Sequence, residues 1–272
     1  IGSSKGYFDD ALNEMVMKRV ADRCYLPMNA TLLEAIERTD GRFRCSYSIS
    51  GTALAQFEEW APEVIDSFKE LFDTGAVELI CETSHHSHAA VGNREEFARQ
   101  VENHKAELER IFDITPTTFR NTELVIDEKI ASYVQDLGFK TLMGEGADQL
   151  LNWRTPHVLY HPSGSPDLAL LLRAYSYSDD IAFRFSNKDW PAHPLMADTF
   201  AGWLDDTPEE APFIGLFMDY ETFGEHQWAD TGIFDFMAAL PEYVLDNPRF
   251  DFATPAEVAS RNTKREELSY PR

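Results

Sequence analysis

The sequence predicts an α/β protein whose parallel strands alternate with helices that lie outside them. Two observations predict this class: short apolar runs of strand length recur along the chain, and segments with helical periodicity separate them. Repeated strand-then-helix units favour a parallel sheet, because parallel strands need a long crossover connection. About six or seven strands in a chain of 272 residues favour a barrel over an open sheet.

The first half of the chain alternates regularly between the two kinds of element. Helical periodicity predicts helices over residues 9–24, 30–38, 53–60, 63–72, 94–112 and 127–137. Alternating or continuous apolar runs predict strands over residues 42–49, 77–81, 117–120 and 139–143. Gly75 and Gly138 end two of these helices, and Asn93 precedes another with Glu96 at capping-box spacing.

The order of elements is looser in the second half, where residues 150–167 contain prolines and glycines. Strands are predicted over residues 158–161, 212–218 and 250–253, and residues 168–175 are strongly apolar. Helices are predicted over residues 178–185, 194–204 and 231–245, and a further helix begins at Pro255. No internal repeat or low-complexity linker divides the chain, so residues 1–272 are predicted to form a single barrel domain.

The composition excludes several classes of protein. A formal net charge of −23 disfavours nucleic acid and anionic membranes as partners, but it does not oppose a neutral substrate such as a sugar. There is no run of about 18 apolar residues, and residues 1–10 lack the features of a signal peptide. The three cysteines are odd in number and match no metal motif, which indicates a reduced, cytoplasmic setting.

Reactive side chains follow three of the predicted strands. They occupy residues 82–88, residues 121–123 and residues 219–221. In a barrel of parallel strands the carboxyl ends lie at one rim, so Glu123 and Asp219 are expected to meet there. Two carboxylates on one rim permit glycoside hydrolysis, in which one acid protonates the departing oxygen and the other attacks the sugar or activates water.

Each of these groups has a simpler interpretation. Glu123 is also consistent with an acid at a helix start, and Asp219 with a residue that caps a turn. The histidines of residues 85–88 are consistent with a polar loop or with a metal site, although their spacing rarely converges on one ion. No metal or other cofactor is therefore predicted. The sequence contains no GxSxG, Gly-rich phosphate loop or HExxH motif.

Aromatic residues accompany the second acid. Tyr220, Phe223 and Trp228 follow Asp219 closely, and such rings pack well against the C–H faces of sugars. Trp228 is equally consistent with a position in the core. These residues favour a carbohydrate as the substrate.

The chain resembles glycoside hydrolase family 57, a family of α-amylase-like enzymes that act on α-glucans. Residues 75–88 (GAVELICETSHHSH), 117–124 (TTFRNTEL) and 216–226 (LFMDYETFGEH) are similar to its second, third and fourth conserved regions. The resemblance implies a (β/α)7-type barrel with outer helices, Glu123 as the nucleophile, Asp219 as the acid/base, and retention of configuration. The first conserved region, a strand ending in His-Gln-Pro, is absent before residue 6. The catalytic domain is therefore expected to be truncated at both ends and to lack its first strand.

Further residues are predicted to bind substrate around these two acids. Arg120 precedes the nucleophile by three residues and favours its ionised form, and Glu221 is placed to raise the pKa of Asp219 if the strand continues. The remaining predicted binding residues are the candidates for contacts with sugar hydroxyls and rings, namely His86, Asp180, Tyr220, His226 and Trp228. Asp180, with its neighbour Asp179, is also consistent with a capped helix start.

The predicted function is a retaining glycoside hydrolase that acts on α-1,4-glucans or maltooligosaccharides through a covalent glycosyl-enzyme. A glucan transferase or branching enzyme would use the same site. Two alternatives of other classes are a metal-dependent hydrolase or deacetylase and a non-catalytic glucan-binding relative. The sequence does not indicate an oligomeric state.

Overall fold

The fold was analysed in a computed structural model, which describes residues 8–262 and 264–270. Its strands are β1 (Cys45–Ser48), β2 (Val77–Ile80), β3 (Thr118–Arg120), β4 (Thr141–Glu145), β5 (Tyr160–Pro162), β6 (Ala169–Arg173) and β7 (Glu266–Leu268). Its helices are α1 (Asp10–Val20), α2 (Leu26–Arg38), α3 (Gly51–Trp60), α4 (Pro62–Asp73), α5 (Ala89–Gly92), α6 (Arg94–Phe112), α7 (Glu128–Asp136), α8 (Asp148–Leu151), α9 (Tyr175–Asp179), α10 (Ala197–Leu204), α11 (Ile233–Leu245) and α12 (Pro255–Arg261).

The predicted α/β class with parallel strands and flanking helices is confirmed. Strand β1 pairs with β2, and β3, β4 and β6 pair in that order, all in parallel. A parallel bridge between Cys81 and Phe119 joins the two groups. Strand β5 runs antiparallel to β6, and β7 lies beside β5. The carboxyl ends of β1, β2, β3, β4 and β6 therefore face one side of the molecule.

The ladder of strands in the described residues does not close into a barrel, and the predicted strand over residues 212–218 is not formed. This segment is extended beside β6, where the backbone N–H of Ala174 donates to the carbonyl of Gly215 at 2.8 Å. A Cβ at Gly215 would lie 2.6 Å from the carbonyl oxygen of Leu172, so only glycine permits this approach. This bond joins the segment to Ala174, the residue after β6, and one such bond does not make a ladder.

Other elements differ from the sequence-based boundaries. Helices α1 and α2 are joined by a π-helical turn, Ala21–Tyr25, instead of a break before residue 30. That turn accommodates Pro27, which lacks a backbone donor, at the start of α2. Residues 250–253 form no strand, whereas the apolar residues 168–175 contain β6. The predicted helix over residues 178–185 is the end of α9 followed by a π-helical turn, Asp180–Arg184.

Two clusters of buried apolar residues pack the helices against the strands. The larger core packs α1 to α4 against α10 and α11 and contains Phe57, Phe68 and Phe200, each almost fully buried. The second core lies under β3, β4 and β6 and is centred on Phe97 and Phe119. Within the described residues, no helix combines the length and apolar character that a membrane crossing requires.

Candidate active site

A cavity of about 990 Å³ lies at the carboxyl ends of the parallel strands. Residues that follow β2, β3 and the extended segment 212–218 line it together, as do the last residues of β4 and β6. Glu123 and Asp219, which are 96 residues apart in sequence, both line this cavity. The two carboxylates that the sequence singled out thus line the same cavity.

The turn that presents Glu123 has an unusual backbone. Glu123 and Leu124 are consecutive non-glycine residues with φ angles of 53° and 56°, in the left-handed region that side chains disfavour. Asn121 closes the turn by donating from its side chain to the carbonyl of Val125 at 2.7 Å. Thr122 ties it to the loop after β2 by donating to the carbonyl of Ser87 at 2.9 Å. Strain of this kind, held by specific bonds, is typical of a functional site.

A histidine and a second glutamate stand behind Glu123. His86 Nε2 lies 3.0 Å from Glu123 Oε1, and His86 Nδ1 lies 2.6 Å from Glu82 Oε2. Glu82 is buried, with 2% of its surface exposed, and its other carboxylate oxygen accepts from the hydroxyl of Ser48 at 2.8 Å. His86 also has a positive φ, 48°, so its position is constrained by the loop that carries it.

The pKa values of these three residues shift together. The hydrogen bond from His86 lowers the pKa of Glu123, and the charges of His86 and Arg120 lower it further. Burial raises the pKa of Glu82, but bonds from His86 and Ser48 and the charge of Arg120 outweigh burial and leave it lowered. The pKa of His86 is raised, chiefly by its hydrogen bond to Glu82. Both glutamates are therefore ionised at neutral pH, and their two contacts favour the charged form of His86.

The predicted binding residues fall into two groups. Those that line the cavity with the two acids are His86, Arg120, Tyr220, Glu221 and His226. Asp180 and Trp228 are not among the lining residues. Asp180 instead pairs with Arg184 at 2.6 Å. Trp228 is 62% exposed and donates from its indole to the carbonyl of Glu225 at 2.9 Å.

Tyr220 and Glu221 are both engaged with the helices that precede β1. The hydroxyl of Tyr220 donates to Asn29 at 2.5 Å and accepts from Tyr47 at 3.1 Å. Burial raises the pKa of Tyr220 well above its ordinary value, so the hydroxyl stays neutral. Glu221 accepts a hydrogen bond from Tyr25. The aromatic residues beside Asp219 thus anchor its loop to the core, and the expected strand through Glu221 is replaced by a short 3-10 turn, Tyr220–Thr222.

A glycine fixes the end of this loop. Gly224 has φ of 114°, and a Cβ there would lie 2.0 Å from the carbonyl oxygen of Arg23. The Phe-Gly pair of the fourth region therefore lets the loop that carries Asp219 press against the π-helical turn between α1 and α2.

Sequence analysis missed Arg173 and Glu145, which also line the cavity. Arg173 pairs with Glu145 at 3.3 Å and with Asp179 at 2.5 Å, and it donates to the carbonyl of Phe217 at 2.7 Å. It thereby holds the backbone two residues before Asp219. The signal was present: each of these residues is the charged end of an apolar strand, at the rim where chemistry was expected.

In the part of the chain that the structure describes, no group of three or more His, Cys, Asp or Glu side chains is placed to hold a metal ion. His85 bonds to its neighbour Ser84 at 2.8 Å, while His86 is held between two glutamates. The histidines after β2 therefore do not converge on one point.

A parallel α/β fold with two carboxylates on one cavity is an arrangement that glycoside hydrolases use. The chain belongs to glycosyl hydrolase family 57, whose sequence profile matches residues 2–271.

One curated relative is a Methanocaldococcus jannaschii protein named "Putative alpha-amylase", which is 44% identical over 264 residues. The match covers 96% of this chain and 55% of the relative, so the chain spans about half of that protein's length.

Two solved structures share the fold. A 4-alpha-glucanotransferase from Thermococcus litoralis has a TM-score of 0.76 at 17% identity, and the match covers 94% of this chain and 39% of that one. A "putative polysaccharide deacetylase" from Mycobacterium smegmatis has a TM-score of 0.67 at 12% identity, with 97% and 87% covered. Two different activities share this fold, so the assignment of function depends on the site residues.

Proposed function

We propose that the chain is the catalytic part of a retaining glycoside hydrolase that acts on α-1,4-glucans. The observation that carries this proposal is the pairing of Glu123, which His86 holds in its ionised form, with Asp219 on the same cavity. A nucleophile must be ionised to attack, and the contact with His86 favours that state. The name of the relative from M. jannaschii supports the same substrate class.

The first step forms a covalent glycosyl-enzyme. A carboxylate oxygen of Glu123 attacks the anomeric carbon while the bond to the departing sugar oxygen breaks, and Asp219 donates its proton to that oxygen. In the second step Asp219 removes a proton from water, which attacks the same carbon and releases Glu123 as a carboxylate. Two inversions at one carbon retain the configuration. The neutral sugar substrate is compatible with the acidic protein.

Other residues of the cavity have supporting roles in this proposal. Arg120 lies at the end of β3 with its charge near Glu123, and His226 is an exposed donor on the same cavity. Both are proposed to bind sugar hydroxyls. Tyr220 and Glu221 contribute by holding the loop of Asp219, and Asp180 and Trp228 would contact only a substrate that extends beyond the cavity.

The test compares substitutions of the two acids on two substrates. Glu123→Gln should lower turnover of both natural glucan and an activated aryl glycoside by about 10⁴ or more, because both steps need the nucleophile. Asp219→Asn should lower glucan hydrolysis by about 10²–10⁴ but retain the first step with an aryl leaving group, which departs without a proton. Asp230→Asn, an exposed acid outside the cavity lining, is the matched control.

Azide distinguishes the two roles. It should restore turnover of the aryl glycoside by Asp219→Ala and give a glycosyl azide of retained configuration, because a small anion needs no general base. Rescue of a Glu123 variant with the opposite anomer would exchange the two roles. Full activity in both variants would reject the site.

Glucan transfer or branching is the alternative within the same chemistry. An acceptor sugar would then replace water in the second step. Incubation with a single maltooligosaccharide separates these outcomes, because hydrolysis yields only smaller sugars and transfer also yields longer ones.

A metal-dependent deacetylase is the alternative of another class. Such an enzyme would lose its activity when a strong chelator is added. It would form no covalent glycosyl-enzyme, either in the wild type or in Glu123→Gln. A glucan-binding protein without activity would bind maltooligosaccharides and leave them intact.

The cytoplasmic setting and the single catalytic domain remain part of the proposal. The three cysteines of the chain are unpaired thiols in the structure, as a reducing compartment requires. Fractionation of the native host with an antibody tests the location.

A further inference from the structure

Glu82 is a buried carboxylate that lines the cavity with His86 and Glu123, and both of its oxygens and its backbone N–H are hydrogen-bonded. Its Oε1 accepts from Ser48 at 2.8 Å, its Oε2 contacts His86 at 2.6 Å, and its backbone N–H donates to Nδ1 of His104 at 3.0 Å. An ionised group with 2% exposure is costly to bury unless it is paired and hydrogen-bonded, as Glu82 is. The two-acid mechanism assigns no role to this carboxylate.

His86 is held between two acceptors. Because Glu82 and Glu123 are both ionised, neither can donate, and each ring nitrogen of His86 must carry a proton to bond them. A neutral imidazole has only one N–H and would release one of the two carboxylates. The observed geometry is therefore that of the imidazolium.

Glu123 depends on this contact. Its side chain is 67% exposed, and among the residues that the structure describes His86 supplies the hydrogen bond to its carboxylate. The bond engages Oε1 and leaves Oε2 available for attack. An exposed glutamate without such a bond would sample several rotamers, which lowers the fraction in a reactive position.

We propose that Glu82 is a positioning residue that anchors His86, so that His86 in turn orients Glu123 with one oxygen free to react. The inference rests on the proposed function for its catalytic consequence. Glu82 contacts the ring nitrogen of His86 that does not contact Glu123, so in this proposal its effect on Glu123 passes through the histidine. Three other side chains set the charge around His86 and Glu123: Glu82 after β2, Arg120 at the end of β3, and His88 in the same loop as His86. His86 and Glu123 also act on each other.

The first test is direct and does not require activity. NMR titration of the histidine ring signals, with His86 identified by its absence in His86→Gln, should give a midpoint above about 6.5, the ordinary histidine value. Glu82→Gln should move this midpoint to lower pH, since Glu82 is the main group that stabilises the charged ring. A midpoint that stays in place would overturn the proposal.

Glu78→Gln is the matched control for the loss of a carboxylate. Glu78 lies in the same strand region but bonds to Thr118 and to the backbone N–H of Ala256, away from the cavity lining. It should leave the His86 midpoint unchanged. If the midpoint moved as far in this control as in Glu82→Gln, the charge of His86 would not depend on Glu82 in particular, and the proposal would be contradicted.

The second test is kinetic and uses an aryl glycoside with a good leaving group, which makes the first step independent of Asp219. Glu82→Gln should lower kcat by about tenfold or more with KM little changed, which corresponds to about 1.4 kcal/mol. As the pH is raised, the activity of Glu82→Gln should begin to fall at a lower pH than that of the wild type, because His86 loses its charge at a lower pH in the variant.

Two outcomes separate this inference from the proposed function. An inactive wild type would reject the proposed function while the NMR result still tests the contact. If the wild type is active and Glu82→Gln has the same kcat and the same loss of activity at high pH, the positioning role is rejected and the proposed function is not. If Glu82→Gln does not fold, His86→Gln tests the second link: both donors of a glutamine are on one nitrogen, which cannot take the place of two separate ring nitrogens, so the same loss of kcat is expected.

Discussion

Substitution of Tyr220 by phenylalanine separates a role in the core from a role in sugar binding. The change keeps the ring, which contacts the rings of Tyr47 and Phe223, and removes only the hydroxyl. Two buried hydrogen bonds disappear with it, one to Asn29 and one from Tyr47. The loss of each bond costs about 1–2 kcal/mol, because its partner is left without a hydrogen bond. The free energy of unfolding should therefore fall by about 2–4 kcal/mol.

Urea unfolding followed by tryptophan fluorescence measures this loss, and maltooligosaccharide kinetics well below the unfolding midpoint measure the effect on KM. Tyr243→Phe is the control: Tyr243 is 47% exposed, and its variant should unfold within about 0.5 kcal/mol of the wild type. A Tyr220→Phe variant with wild-type stability and a raised KM would refute the core role and return Tyr220 to the substrate.

Three further predictions follow from contacts around the site. His104 is buried, and burial is the main cause that lowers its pKa. The stability that the neutral ring contributes is full above about pH 6.5 and is lost as pH falls. The free energies of unfolding measured in urea at pH 7.5 and 5.5 should therefore differ less in His104→Gln than in the wild type. Arg173→Ala removes a cation that is 13% exposed and paired with two carboxylates. The free energy of unfolding should therefore fall by about 3–5 kcal/mol in the same assay. An unchanged value would show that solvent already screens the two ion pairs. Trp228→Ala should change the free energy of unfolding by less than about 0.5 kcal/mol and leave KM for short maltooligosaccharides unchanged; a raised KM for long glucans alone would place substrate beyond the cavity.

The fold class followed from the sequence because hydrophobic periodicity is a local property. Strands β1 to β3 lie within residues predicted as strands, and β4 overlaps the predicted strand 139–143. Asn93 caps α6 by accepting from the backbone N–H of Glu96 at 3.1 Å. The segment 212–218 was misassigned for a non-local reason. Its apolar residues suit a buried strand, but ladder formation depends on a neighbour, and Gly215 approaches β6 through one backbone bond only.

Position after an apolar run singled out Glu123 and Asp219, and both acids line the cavity. Their catalytic roles stay a prediction, and the surroundings of their neighbours were harder to foresee. The function of an aromatic residue depends on what surrounds it in space, and Tyr220 contacts residues almost 200 positions earlier. Likewise, His86 was expected to bind sugar, but sequence spacing gave no indication that Glu82 and Glu123 would occupy both of its ring nitrogens.

The support behind Glu123 extends further than one histidine. His104 in α6 donates from Nε2 to the carbonyl of Ile49 at 2.8 Å and accepts the backbone N–H of Glu82 through Nδ1. Two histidines of opposite charge state therefore act in series: His104 must be neutral to accept from the backbone, and His86 must be charged to donate to both carboxylates. Protonation of His104 at low pH and deprotonation of His86 at high pH would each break one link. The orientation of Glu123 should accordingly be best in a window of pH between these two events, independently of the titration of the acid/base.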